Sequence, residues 1–259
     1  MAFMRTFWRS AVLVLLLSTF GAAQQTISST RDPQAVALVQ AAVNAMGGPN
    51  AAQGIRTAVV SGGSDTVFRS FLWKDDFSGG RHEFRRELTD GTNTRLLASG
   101  HGTPANAFNS KARKLRRHVA YSIWPLHLPI VMLYNILQNT NFTLTLGPQV
   151  VIDNHTCFQL VAKDESGPVE AVLSVQRWYI DTATGIPVRL EHRVTDAMTV
   201  EGYETGKVDY SDFRSVSGVL IPFQLVTSQN GKKTGTVTVT SVVLNSPISS
   251  SDFDIPGVQ

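Results

Sequence analysis

The chain has 259 residues, with 23 Lys and Arg against 20 Asp and Glu, and a single cysteine. At 42% apolar and 17% charged residues it has the composition of a folded domain with its own core, which excludes a disordered chain. One cysteine excludes an internal disulfide, and the near balance of charges does not describe a nucleic-acid-binding protein, which would need a concentrated positive footprint.

Residues 1–23 carry Arg5 and Arg9, then the apolar run AVLVLLL, then Gly21, Ala22 and Ala23. Positive, apolar and small residues in that order are a secretory signal, with cleavage expected after Ala23. The run is short of the ~20 residues that span a bilayer, and no Cys follows it to carry a lipid. Residues 24–259 are therefore expected to be the exported protein, periplasmic or secreted, a single domain with no stable transmembrane segment. Losing two arginines leaves 21 basic against 20 acidic side chains, a net charge of +1.

RDPQAVALVQAAVNAMGG predicts one amphipathic helix. Asp32 is the N-cap, Pro33 the first helical residue, and Val36, Val39, Val43 and Met46 the apolar stripe; Gly47 ends it. After it the pattern changes to period two. RTAVVSG, TVFRSFLW, RHEFRREL, TNTRLLASG, NFTLTLG, CFQLVA, VEAVLSVQRWYI, IPVRLEHRV, GKVDYSDFRSV, VLIPFQLVTS and TVTVTSVVL are strand-length and rich in Val, Thr, Phe and Tyr. About ten or eleven strands at short spacing fit antiparallel meanders and leave no room for βαβ crossovers.

Two segments interrupt the β rhythm. KARKLRRH holds Lys111, Arg113, Lys114, Arg116 and Arg117, the one dense charge run of the sequence. It reads as a solvated loop or an edge strand guarded against pairing, with an anionic partner such as a lipid head group as the functional alternative. SIWPLHLPIVMLYNILQN follows, apolar nearly all round, and predicts a helix from about Pro129 to Gln138. A helix without a polar face must be covered on several sides. It is either a core helix plugging a curved sheet, a wall of a lipid-binding cavity, or a surface that meets a membrane.

Cys157, within NHTCFQLVA, reads as a small buried hydrophobe, a reactive thiol being the alternative. RWYIDTATGIPVRLEHR is a hairpin. Trp178 and Ile180 share a face, Asp181 is placed to bond the backbone of the turn, Gly185 takes positive φ, and Pro187 starts the returning strand.

Local chemistry is sparse. The six histidines form no H-x-x-x-H or H-E-x-x-H pair, and no G-x-S-x-G elbow, Walker loop or G-x-G-x-x-G is present. The acid pairs Asp75-Asp76 and Asp164-Glu165 sit beside turns and read as solvated. Neither a metal nor a cofactor is expected, and a hydrolase would need a buried His–acid pair assembled by the fold.

The helix ending in MGG, the meander, the apolar mid-chain helix, and then YIDTATGIPVRLE, VDYSDFRSVSGVLIPFQL and VTVTSVVLNSPISSSDFDIP occur in a recognisable order. This resembles exported bacterial proteins of the lipoprotein-carrier (LolA-like) superfamily, from about Ala35 to Pro256. The resemblance implies a mainly β (α+β) fold: a curved antiparallel half-barrel wrapped around the N-terminal helix and the mid-chain helix. It also implies an apolar concave cavity that accepts acyl chains, and it carries over no catalytic residue. The expected function is a binding protein sheltering a lipid, a lipoprotein acyl chain or another amphiphile. Trp124, Leu128, Met132, Leu133, Ile136 and Leu137 are the candidate cavity residues; Lys111, Arg113, Lys114, Arg116 and Arg117 are candidates for an anionic partner. The alternative is an envelope module that binds a protein partner through the same sheet.

Overall fold

The structure, a computed structural model, describes residues 30–66, 70–78, 83–100, 103–109, 111–116, 119, 125–195, 202–255 and 257–258. The signal-like residues 1–23, Arg117 and Trp124 lie outside them. Among the described residues, thirteen strands form one antiparallel sheet. They are β1 (Thr57–Thr66), β2 (Ser70–Ser78), β3 (Glu83–Thr89), β4 (Thr94–Gly100), β5 (Thr103–Phe108), β6 (Lys111–Lys114) and β7 (Phe142–Ile152), then β8 (His155–Asp164), β9 (Gln176–Asp181), β10 (Pro187–Thr195), β11 (Tyr203–Val216), β12 (Val219–Gln229) and β13 (Lys232–Leu244). Each of the predicted runs holds one of eleven strands, and β5 and β6 are the additional two. TPANAF and KARK hold only one β-branched and one aromatic residue between them, so neither announces itself. The run VEAVLSVQRWYI splits: Pro168–Leu173 is a short helix, and β9 starts only at Gln176.

The sheet order is β6-β5-β4-β3-β2-β1-β13-β12-β11-β10-β9-β8-β7. Two meanders, β1 to β6 and β7 to β13, are joined where β13 returns to pair with β1. That seam carries a bulge after Ser61, and a Cβ on Gly62 would stand 2.0 Å from the Thr238 carbonyl oxygen. Glycine is what lets the backbones approach there.

β6 and β7 are the two edges. β6 is guarded by its charges, the edge-strand reading of the basic run. At β7, Asp32 donates its N–H to the Leu144 carbonyl at 2.9 Å and Leu144 donates to Thr30 at 3.1 Å, so the start of the described chain covers part of that edge.

β6 and β7 lie at opposite edges, and residues 125–141 belong to the connection between them. These residues bring helix α3 (Pro129–Gln138) onto the face that also carries α1 (Pro33–Ala45) and the short α2 (Pro49–Gly54). The N-terminus of α1 is as predicted: Asp32 accepts the Gln34 N–H at 2.8 Å and Pro33 opens the first turn. Ala35, Val39, Ala42, Val43 and Met46 are buried, and the Met46 carbonyl accepts the Leu220 N–H at 2.9 Å, tying the helix end to β12.

α3 packs against α1, α2 and β12. Ile130, Val131, Met132, Leu133 and Ile136 are all buried. Arg31 donates to the last carbonyls of the helix, Ile136 at 3.3 Å and Leu137 at 3.0 Å, a cationic cap where the helix dipole favours one. Across the sheet, Trp178 is fully buried and stacks on Tyr210 at 6.4 Å. Among the described residues no helix is long and apolar enough to cross a membrane.

The sheet is curved, not flat. His192 on β10 faces the helix-bearing side, and its imidazole is pushed down to about 4 by burial and by the positive charge of Arg86 on β3. Six strand spacings separate β3 from β10, about 29 Å in a flat sheet. The two arms must curl towards each other for that charge to reach the ring.

Two outcomes follow from this packing. Leu133→Ala, which empties a fully buried site between helices and sheet, should cost about 2–5 kcal/mol in urea unfolding. The His192 ring should titrate near 4 by NMR, and Arg86→Gln should move that midpoint upward. Because the folded value lies below the ordinary 6.5, stability rises with pH between about 4 and 6.5, and that increment is withdrawn as the solution is acidified.

Candidate functional site

β3, β4, β5 and β6 pair in a register that lays out two cross-strand rows. Arg86 faces Leu97, Leu97 faces Asn106, and Asn106 faces Arg113. In the next row Leu88 faces Arg95, Arg95 faces Phe108, and Phe108 faces Lys111. All eight line a pocket of about 640 Å³, within the size range of small-ligand sites. Leu88 also packs against the main core, which places the pocket on the concave, helix-bearing face. That core reaches no residue of β4, β5 or β6, so the apolar floor of this arm is left to the pocket.

The floor is Leu88, Leu97 and the half-exposed ring of Phe108, and three of the four cations are laid against an aromatic or polar neighbour. The Arg95 guanidinium lies 5.7 Å from the Phe108 ring centre, and Arg86 lies 5.3 Å from that of Phe84. Arg113 donates from Nε to the Asn106 side-chain oxygen at 3.0 Å. No acidic side chain lines the pocket among the described residues. Glu87, one position along β3, is turned to the other face and pairs with Arg85 at 3.0 Å.

The convex side of the same arm is closed. Ala98, Ala105, Ala107 and Ile255 form a small core there, and Arg85 donates to the Asp252 carbonyl at 2.9 Å. Ser249 and Asp252 cap a short 3-10 turn whose Phe253 is buried. Residues 252–255 of the closing stretch thus form a plug beneath the pocket's floor.

The β7–β11 part of the convex face holds a buried acid, Asp181. Asp181 accepts from Thr184 Oγ1 at 2.6 Å and from the Thr184 N–H at 3.0 Å; these bonds, chiefly the hydroxyl, hold its carboxyl below the usual range. His155 Nδ1 lies 3.4 Å from the same carboxylate, but the ring is half exposed. Cys157 is buried beside Asp181, and burial followed by that negative charge pushes its thiol upward. A thiol so held stays protonated and is a poor nucleophile. A smaller pocket of about 310 Å³ opens nearby, lined by Asp153, His155 and Asp209 among others, with Arg189 paired to Asp209. Among the described residues no three His, Cys, Asp or Glu side chains group as a metal site.

The residues singled out in the sequence are distributed as follows. Lys111 and Arg113 line the larger pocket; Lys114 and Arg116 are exposed outside it, Lys114 falling on the opposite face by strand alternation. Leu128, Met132, Leu133 and Ile136 are buried in the main core, and Leu137 packs against it half-buried. None of these five lines either of the two pockets just described. The reason is the packing of α3 against α1, α2 and β12, which buries most of its apolar surface. Arg86, Leu88, Arg95, Leu97, Asn106 and Phe108 were not anticipated. The signal was available in part: the turn at Asp90-Gly91 sets Thr89 opposite Thr94, and counting back from it brings Arg86 onto Leu97. β5, which supplies Phe108, has no such signal.

No protein-family model matches the sequence, and no curated protein matches it. Solved structures do. The LolA superfamily protein NE2245 from Nitrosomonas europaea is 9% identical; the match covers 85% of this chain and 97% of that one, with a TM-score of 0.54. A DUF1329 family protein from Desulfovibrio piger is 12% identical over 87% of this chain and 99% of that one, at a TM-score of 0.48. At such identities the likeness is one of fold: the chain has the curved antiparallel half-barrel of a LolA superfamily protein.

Proposed function

We propose that the chain is an exported binding protein that shelters an amphiphile against the concave face of the β3–β6 arm. The observation that carries this is the pocket of about 640 Å³ floored by Leu88, Leu97 and Phe108 where the main core stops. Each methylene taken out of water there is worth about 0.8 kcal/mol, so an acyl chain needs little beyond a dry floor. The half-barrel shared with a LolA superfamily protein fits the reading, as does the signal-like start of the sequence, which directs the protein to the periplasm or beyond. α3 serves as packing that holds the neighbouring half of the sheet in its curve. The reading requires no catalytic group, and the neutral Cys157 thiol on the convex face takes no part in it.

Native mass spectrometry of protein purified from the periplasm should show lipid adducts. Leu97→Asp and Phe108→Asp should remove them while circular dichroism of the sheet stays unchanged, because neither side chain belongs to the main core. A clean apo mass for the unmodified protein, with an envelope protein co-purifying instead, favours partner binding through the same sheet and overturns the amphiphile reading.

A further inference from the structure

Going beyond that reading, we infer that the β6 edge is a docking surface for an anionic lipid bilayer, met edge-on so that the pocket opens beside the head groups. β6 is the last strand of its arm; Lys111, Arg113 and Lys114 are exposed along it, and Arg116 is exposed just beyond. Strand alternation sends Lys111 and Arg113 to the concave face and Lys114 to the convex one. Cations that straddle the rim of a sheet fit a plane of negative charge met edge-on, because long side chains from both faces reach the same surface. Phe108, paired with Lys111 and 48% exposed, adds an apolar ring beside them, the combination that membrane-surface elements use.

The attraction is local to this edge. With a net charge of +1, the exported chain as a whole is drawn only slightly to an anionic surface. The sequence from Gly91 to Ile152, which spans β4 to β7, contains no Asp or Glu. The acids described on this arm stand further in. Glu83 and Glu87 are on β3, three strand spacings from β6, about 14 Å against a Debye length of about 8 Å at physiological salt. Asp90, Asp252 and Asp254 belong to turns beside β3 and β4. At the opposite edge, β7 has no charged residue from Phe142 to Ile152, so the two rims differ in what they attract.

The test is co-sedimentation of the exported protein with vesicles of phosphatidylcholine, alone or mixed with phosphatidylglycerol. The mixed vesicles should bind it at least about tenfold more tightly, and added salt should remove that advantage. Lys114→Gln with Arg116→Gln, both exposed and outside the pocket, should weaken binding to the mixed vesicles at least about tenfold and leave the lipid adducts of the purified protein unchanged. Lys232→Gln with Lys233→Gln, which removes equal charge at the exposed start of β13, should have no effect. Equal losses from the two double variants overturn the assignment to β6, and equal binding to the two kinds of vesicle overturns attraction by charge. No binding to either kind overturns the docking inference and leaves the amphiphile reading standing, with β6 an edge guarded against pairing.

Discussion

The rest of the molecule depends on the pairing of β1 with β13. These strands are separated by most of the chain, and their backbones meet at a bulge where Gly62 has no room for a Cβ against the Thr238 carbonyl. Because that seam joins two meanders side by side, β6 and β7 become opposite edges of one sheet. In the connection between them, α3 lies on the helix-bearing face, and a helix can be buried there with its backbone bonds satisfied. Burial of α3 is thus a consequence of topology as well as of composition. Non-local pairing of this kind carries a loop-closure cost that local hairpins avoid, so the seam is also where folding is expected to be slow.

Curling of the sheet then divides its concave face into unequal parts. Under β7–β13 the hollow is filled by α1 and α3, with Trp178, Leu190, Leu133 and Ile136 in one continuous core. Under β3–β6 that core stops at Leu88, and the same face turns into alternating cations and apolar side chains. The first part supplies stability, and the second leaves apolar surface at a pocket. Arg86 stands at the boundary: its guanidinium lies along Phe84 and its charge reaches His192 on the far arm.

On the convex face, polar residues are used for structure. The Asp181–Thr184 bonds fix the β9–β10 turn, and Gly185 at φ 72 lets that turn close beside Ala45 of α1. His155, Cys157 and Asp181 stand near one another, which in outline suggests nucleophilic chemistry. The burial that lifts the thiol and the hydrogen bonds that occupy the carboxylate argue against it.

The sequence by itself determined the local elements. The cap at Asp32, the stripe of α1, the turn at Asp181 and the length of α3 each follow from residues within a few positions of one another, where backbone sterics and period decide the outcome. It also determined a mainly β chain, because Val, Thr and aromatic runs recur between turn residues. Only the tertiary structure decided which strands are neighbours, and with them the candidate site. Arg95, Phe108 and Lys111 come together through the registers of two successive strand pairings, and β5 and β6 lack a strand signature that local reading detects. It likewise decided that the apolar helix is core and the basic run an edge. Both segments expose or bury themselves according to what covers them, and coverage is a property of the whole sheet.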